Sequence, residues 1–248
     1  MSAAKSNPVL TIYRRELKSL FASPVAYVFL IAFLVLTAFL TFLVGHAYER
    51  RQADLAVLFM WMPIIFLLLA PAASMGLWAE ERRNGTIELL LTSPITLGQA
   101  VAGKFLASWT FMTIAVLLTF PAVITVNYLG SPDNGVILCG YLGLILMAGA
   151  YIAVGMFASA MTRSQVIAFV TSLGICLVLF LAGFEPITGM FARWAPRLAE
   201  VVASFGTMTH FYALQRGVVD LASVAYFVSI MIFASFGALV VLDNRKAA

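Results

Sequence analysis

Charge is scarce in this chain. Asp, Glu, Lys and Arg make up only 10% of its 248 residues, and 62% are apolar. A soluble domain carries roughly 25% charged residues, so an ordinary soluble fold is excluded. Cysteine is scarcer still. Cys139 and Cys176 both lie inside apolar runs, which leaves no disulfide framework and no thiolate zinc site. The two histidines, His46 and His210, are far apart. No H-E-x-x-H, G-x-S-x-G or G-x-x-x-x-G-K-[ST] occurs, so metalloprotease, serine-hydrolase and nucleotide-binding chemistry lack their residues. If ATP drives this protein, another chain must hydrolyse it. No basic cluster with interleaved exposed aromatics is present, and the net charge of +4 follows from topology rather than from nucleic-acid binding. The central parts of the apolar runs hold no charge, so a proton-coupled carrier or cation channel lacks its machinery.

What is present is hydrocarbon-compatible length. At about twenty residues per crossing, six spans fit near 25–45, 54–79, 104–129, 136–161, 165–184 and 221–242. Pro63 and Pro71 predict a kinked second span, and the third contains Pro121. Gly130-Ser-Pro-Asp-Asn-Gly135 reads as a turn. Residues 8–21 predict an amphipathic helix on the membrane surface. Its apolar stripe is Val9, Tyr13, Leu17, Leu20 and Phe21, with Arg14, Arg15, Glu16 and Lys18 facing the other way. A signal peptide fits poorly, because the next apolar run is long and no A-x-A site follows it. Residues 185–220 are too polar to span and too apolar for a free loop. Short external helices at headgroup depth fit them, with His210, Arg216 and Asp220 as a candidate polar network. The fold expected is therefore an all-α polytopic membrane protein in one domain.

Orientation follows from Lys and Arg. With the N-terminus inside, Lys5, Arg14, Arg15, Lys18, Arg82, Arg83, Lys104, Arg163, Arg245 and Lys246 are cytoplasmic. Arg50, Arg51, Arg193, Arg197 and Arg216 are external. This ten-to-five bias places both termini and the 80–98 segment in the cytoplasm.

That segment is the most informative stretch. Trp78-Ala-Glu-Glu-Arg-Arg-Asn-Gly-Thr-Ile-Glu-Leu-Leu-Leu-Thr-Ser-Pro94 cannot live in hydrocarbon, unlike its flanks. Gly85 ends the preceding helix. Thr86 is placed to cap a short new one, with Glu88 in its first turn. Ile87, Leu90 and Leu91 share a face, Pro94 stops the helix, and Thr96 with Gln99 has capping-box spacing. The shape is that of a docking element on a hairpin of two long helices. The bland alternative for Glu80, Glu81, Arg82 and Arg83 is a solvated anchor at a helix end. Glu80-Glu81 also invites comparison with intramembrane prenyl-protein proteases, but Gly85 stands where E-E-x-x-x-R requires arginine, and no H-x-x-x-[ND] follows.

The run Glu80-Glu-Arg-Arg-x-Gly-Thr-x-Glu-x-Leu-Leu-x-x-Pro94 resembles the cytoplasmic coupling segment of ABC-2-type transporter permeases, in particular the gliding-motility-type family. Tyr13-Arg-Arg-Glu-Leu-Lys-Ser-Leu-Phe-Ala-Ser-Pro24 fits that family too, as do Val123-Ile-Thr-Val-Asn-Tyr-Leu-Gly130 with Asp133, and His210-Phe with Arg216-Gly-Val-Val-Asp220. The resemblance implies a non-catalytic membrane subunit in the bacterial inner membrane. It implies a dimer with itself or a related permease, and two ATPase subunits that hold ATP and Mg. A large envelope subunit is a further possible partner. It also implies ATPase coupling through Glu80, Glu81, Arg82, Arg83, Gly85, Thr86, Ile87, Glu88, Leu89, Leu90, Leu91, Ser93 and Pro94. Tyr13, Arg14, Arg15, Glu16 and Lys18 would lie on the inner leaflet. A scaffold that passes ATPase motion to an envelope partner without cargo is the alternative, and an intramembrane enzyme a more distant one.

Hydroxyls, with one amide, dominate the polar groups inside the spans: Thr37, Thr41, Ser74, Ser108, Thr113, Thr119, Thr125, Asn127, Ser159, Thr171 and Ser172. Helix packing is the simplest role for each. Gly149 with Ala153, and Gly155 with Ser159, have the four-residue spacing of small residues that such packing uses. The functional alternative is that a few of the polar groups line a mildly polar path at a subunit interface.

Overall fold

A computed structural model describes residues 7–47, 49–50, 52–86, 95–192 and 196–244. Among them there is no β-strand, and six helical stretches are long and apolar enough to cross a membrane. The protein is thus an all-α polytopic membrane protein. Helix α1 (Pro8–Ala22) precedes the first span. That span consists of α2 (Pro24–Ala38) and a π-helical end, Phe39–Val44. The second span, Ala56–Arg83, is α3 (Ala56–Ser74) followed by α4 (Gly76–Arg83). The third, Leu97–Leu129, is α5 (Leu97–Leu117) and α6 (Phe120–Leu129). Then come α7 (Asn134–Met161) and α8 (Gln165–Ala182) as spans four and five. Three short helices follow, α9 (Glu185–Ala192), α10 (Pro196–Ser204) and α11 (Thr207–Gln215), before α12 (Leu221–Asn244).

Local chemistry explains the boundaries. Ser23 caps α2 at Pro24, whose missing N–H costs nothing in a first turn. Thr96 and Gln99 form the expected capping box, each side chain bonded to the other's backbone N–H. Asp133 Oδ1 accepts from Gly135 N and Val136 N, turning the short connection into the start of α7. Pro71 has no N–H to give to the turn before it, and the helical line of the second span is interrupted at Met75. The third span is interrupted at Leu118 and Thr119, just ahead of Pro121.

Helix α7 is the centre of the bundle. Its most apolar window is 72% buried, against 22% for spans one, five and six. It packs most extensively on α12 and α3, and also on α5, α8 and α11. Small residues make this possible. A Cβ on Gly155 would overlap the Ser74 side chain, so α3 crosses α7 at near-backbone contact. The hydroxyl of Ser159, one turn further on, donates to Met75 O (2.7 Å) and accepts from Trp78 N and Ala79 N (both 3.0 Å). It therefore satisfies backbone groups that the interruption of the second span exposes.

Outside the long helices, α11 lies on α7 through buried Phe211 and Leu214. The hydroxyls of Thr207 and Tyr151 are 2.9 Å apart.

Candidate functional site

The site is a charged junction at one end of the bundle, where α1, α4 and α5 meet. Lys104 lies in the second turn of α5, yet its side chain is only 4% exposed. Its ammonium is 2.9 Å from Glu81 Oε1 on α4 and 3.3 Å from Glu16 Oε2 on α1. It also sits 5.3 Å from the centre of the Trp78 ring, which is fully buried. One cation therefore serves two carboxylates and an aromatic face, on three helices distant in sequence. Such pairing is what permits a lysine to be buried at all.

Close backbone packing sets the geometry. Ile12 is buried, and a Cβ on Gly103 would lie 2.7 Å from Ile12 Cγ2. Glycine at 103 thus lets α1 settle against α5, bringing Glu16, one turn after Ile12, over Lys104. This corrects the amphipathic reading of residues 8–21. Tyr13 is half-buried, and Arg14, Arg15 and Lys18 are exposed as expected, but Glu16 turns inward and Ile12 belongs to the packed stripe. Arg15 still reaches Glu16 at 2.8 Å. Burial pushes the Glu16 carboxyl up, but Lys104 and then Arg15 outweigh it and hold its pKa below the ordinary carboxylate value.

The four charges at 80–83 divide in the same way. Glu81 and Arg82 face inward. Arg82 Nη1 donates to Ala160 O at 2.7 Å, near the C-terminus of α7, where carbonyls lack partners within the helix. Glu80 and Arg83 are exposed, and Glu80 Oε2 accepts from Gln165 Nε2 at the start of α8 (3.2 Å). A solvated anchor describes only half of the quartet. Gly85 adopts φ +71° just after α4, the left-handed conformation expected of a helix stop. Thr86, expected to open the next helix, donates its hydroxyl back to Glu81 O (3.3 Å) and so also closes the one before it. Ile87, Glu88, Leu89, Leu90, Leu91, Ser93 and Pro94 lie outside the described residues.

An open cleft of about 670 Å³ borders the junction, with Glu16, Ser19, Glu80, Glu81, Asn84 and Lys104 on its walls. Glu81 Oε2 is buried with no hydrogen-bond partner. The junction has cohesion on one side and an open, acidic wall on the other.

Residues 10–191 match the sequence pattern described as ABC-2 family transporter protein. The chain belongs to that family. Two curated relatives agree with it. One, from Pseudomonas aeruginosa, is named probable ABC transporter permease protein NosY and is 39% identical over 83 residues, 33% of this chain and 29% of its own length. Another of the same name, from Stutzerimonas stutzeri, is 44% identical over 59 residues, 24% of this chain and 20% of its own length. The matched segments thus span less than a third of these relatives. Neither description names gliding motility.

The sequence of this ABC-2 permease does not single out the central residue of the junction. Lys104 was counted only as a cytoplasmic charge, whereas it is the hub. The available signal was a lone lysine inside an apolar helix, past the capping box. At the other end of the chain, His210 and Asp220 are linked through Ser223. His210 Nδ1 is 3.3 Å from Ser223 Oγ, which donates to Asp220 Oδ2 at 3.3 Å, and the His210 ring stacks on Tyr226 at 4.0 Å. Arg216, placed in this network on sequence grounds, is exposed, and its guanidinium joins none of these bonds.

Proposed function

We propose that this chain is the membrane subunit of an ATP-driven transporter of the ABC-2 type, in which the hairpin between α4 and α5 receives motion from a separate ATPase. The observation that carries this reading is the Lys104 junction. The second span, the third span and α1 share one buried charge, and the second and third spans flank residues 86–94 in the sequence, so in this reading motion delivered to that segment is passed to all three. Rigid-body transfer needs such a connection. Glu80 and Arg83, exposed beside the segment, are available to a partner.

In this reading ATP and Mg bind in the partner, two ATPase subunits act on a permease dimer, and both termini face the cytoplasm of a bacterial inner membrane. The membrane chain itself performs no catalysis. Closure of the ATPase pair favours one arrangement of the hairpins through differential contacts. The work is export, or mechanical action on an envelope partner.

The test uses Glu88→Lys and Leu90→Asp. Glu88 belongs to the first turn of the predicted helix, where lysine opposes the helix dipole and repels any basic groove. Aspartate at 90 places a carboxylate on an apolar anchor face. Both variants are expected to insert normally but to lose capture of the ATPase or its stimulated turnover. Wild-type capture and turnover in both would remove the coupling role.

A further inference from the structure

The first span ends in a π-helical turn, Phe39–Val44, and wide turns of this kind are frequent at functional positions. Two hydroxyls on the same face, those of Thr37 and Thr41, are buried at 4% exposure and have no hydrogen-bond partner. A buried hydroxyl without a partner is costly. Both line a cavity of about 220 Å³ between the first three spans, whose other walls include Leu34, Leu58 and Ala122. A smaller cavity of about 50 Å³ shares Thr41, Leu58 and Ala122 and reaches Gln52 and Asp54.

We infer that this groove is a binding site for a single membrane phospholipid with an amine-bearing, zwitterionic headgroup. Its polarity changes along its length, from Asp54 and Gln52 at the mouth, through the hydroxyls of Thr41 and Thr37, to Leu34. That order suits a headgroup, then an ester carbonyl that accepts from the hydroxyls, then an acyl chain. Among the described residues that line it none is basic. Asp54 at the mouth favours an ammonium and opposes an anionic headgroup. Exposed Val35 and Phe39 beside it are suited to contact with lipid. A second copy of the chain is a poor occupant, because a flat helix face cannot reach hydroxyls this deeply set. The site is independent of the transport reading and of the coupling segment.

The experiment uses the full chain in lipid nanodiscs doped with phosphatidylethanolamine or phosphatidylglycerol carrying a photoactivatable acyl chain, with adducts mapped by mass spectrometry. Phosphatidylethanolamine adducts are expected at 34–42 and 118–126, saturable and displaced by the unlabelled lipid. Adducts at 166–170, where Val166, Ile167 and Val170 are exposed, serve as a non-saturable reference. The Thr37→Val, Thr41→Val double variant keeps the shape and is expected to lower groove labelling about tenfold with the reference unchanged. Ala122→Phe fills the groove without touching a hydroxyl and is expected to do the same, so the result stands even if the double variant fails to fold. Groove labelling that never saturates, or that survives Ala122→Phe, would mean a water-filled packing gap and overturn the site. Equal labelling by phosphatidylglycerol would overturn the headgroup assignment.

Discussion

Lys104 stands 2.9 Å from Glu81 and 3.3 Å from Glu16 with its side chain 4% exposed, so a single cation bridges carboxylates from two other helices. Removing one partner of a buried pair leaves a charge in low dielectric, at a cost of about 3 kcal/mol. Lys104→Met should therefore destabilise the purified protein strongly, since two carboxylates would then face each other. Adding Glu16→Gln and Glu81→Gln to it should recover much of the loss. Thermal unfolding of four proteins in one detergent measures this: wild type, Lys104→Met, the Glu16→Gln, Glu81→Gln variant and the variant that combines all three changes. Simply additive losses would show that the three residues are not coupled.

The Glu16 carboxyl sits below its ordinary value of 4.5. Its depressed folded-state pKa means that its ionic contribution is complete above the unfolded value and is lost as pH falls through the folded one. The stability difference between wild type and Glu16→Gln is thus expected to hold steady from neutral pH down to about 5. It should shrink towards zero in stronger acid. A difference that persists undiminished at about pH 2 would contradict the ion-pair account.

Ser159 holds the interruption in the second span together with three hydrogen bonds. Ser159→Ala leaves Trp78 N and Ala79 N without that acceptor and should cost about 1–2 kcal/mol. Gly155→Val should be worse, because the new side chain must displace Ser74 and overpacking adds strain. Melting temperatures in a common detergent should rank wild type, then Ser159→Ala, then Gly155→Val. The reverse order of the variants would mean that α3 and α7 do not depend on this close crossing.

Topology can be checked with single cysteines in a background lacking Cys139 and Cys176. Cysteine at Asn84 should react with an impermeant thiol reagent only from the cytoplasmic side, and cysteine at Ser131 only from outside. Both positions are exposed. Labelling of both from one side would break the six-span orientation that the basic residues predict.

By itself the sequence determined the class of the protein and some of the places where its helices start and stop. Apolar length sets the number of crossings, and the Thr96–Gln99 capping box, the Asp133 cap and Gly85 act through neighbours a few residues away. These are local effects, readable without knowing the packing. The tertiary structure decided which charges are buried together. Glu16 looked like one more polar residue on a basic surface helix until Gly103 brought α1 down onto α5. Lys104 looked like a boundary charge until Glu81 and Glu16 closed around it. A pattern of alternating polarity cannot distinguish a charge facing water from one facing an opposite charge on another helix. Coulomb attraction depends on distance in space, and only the packing of the helices sets that distance.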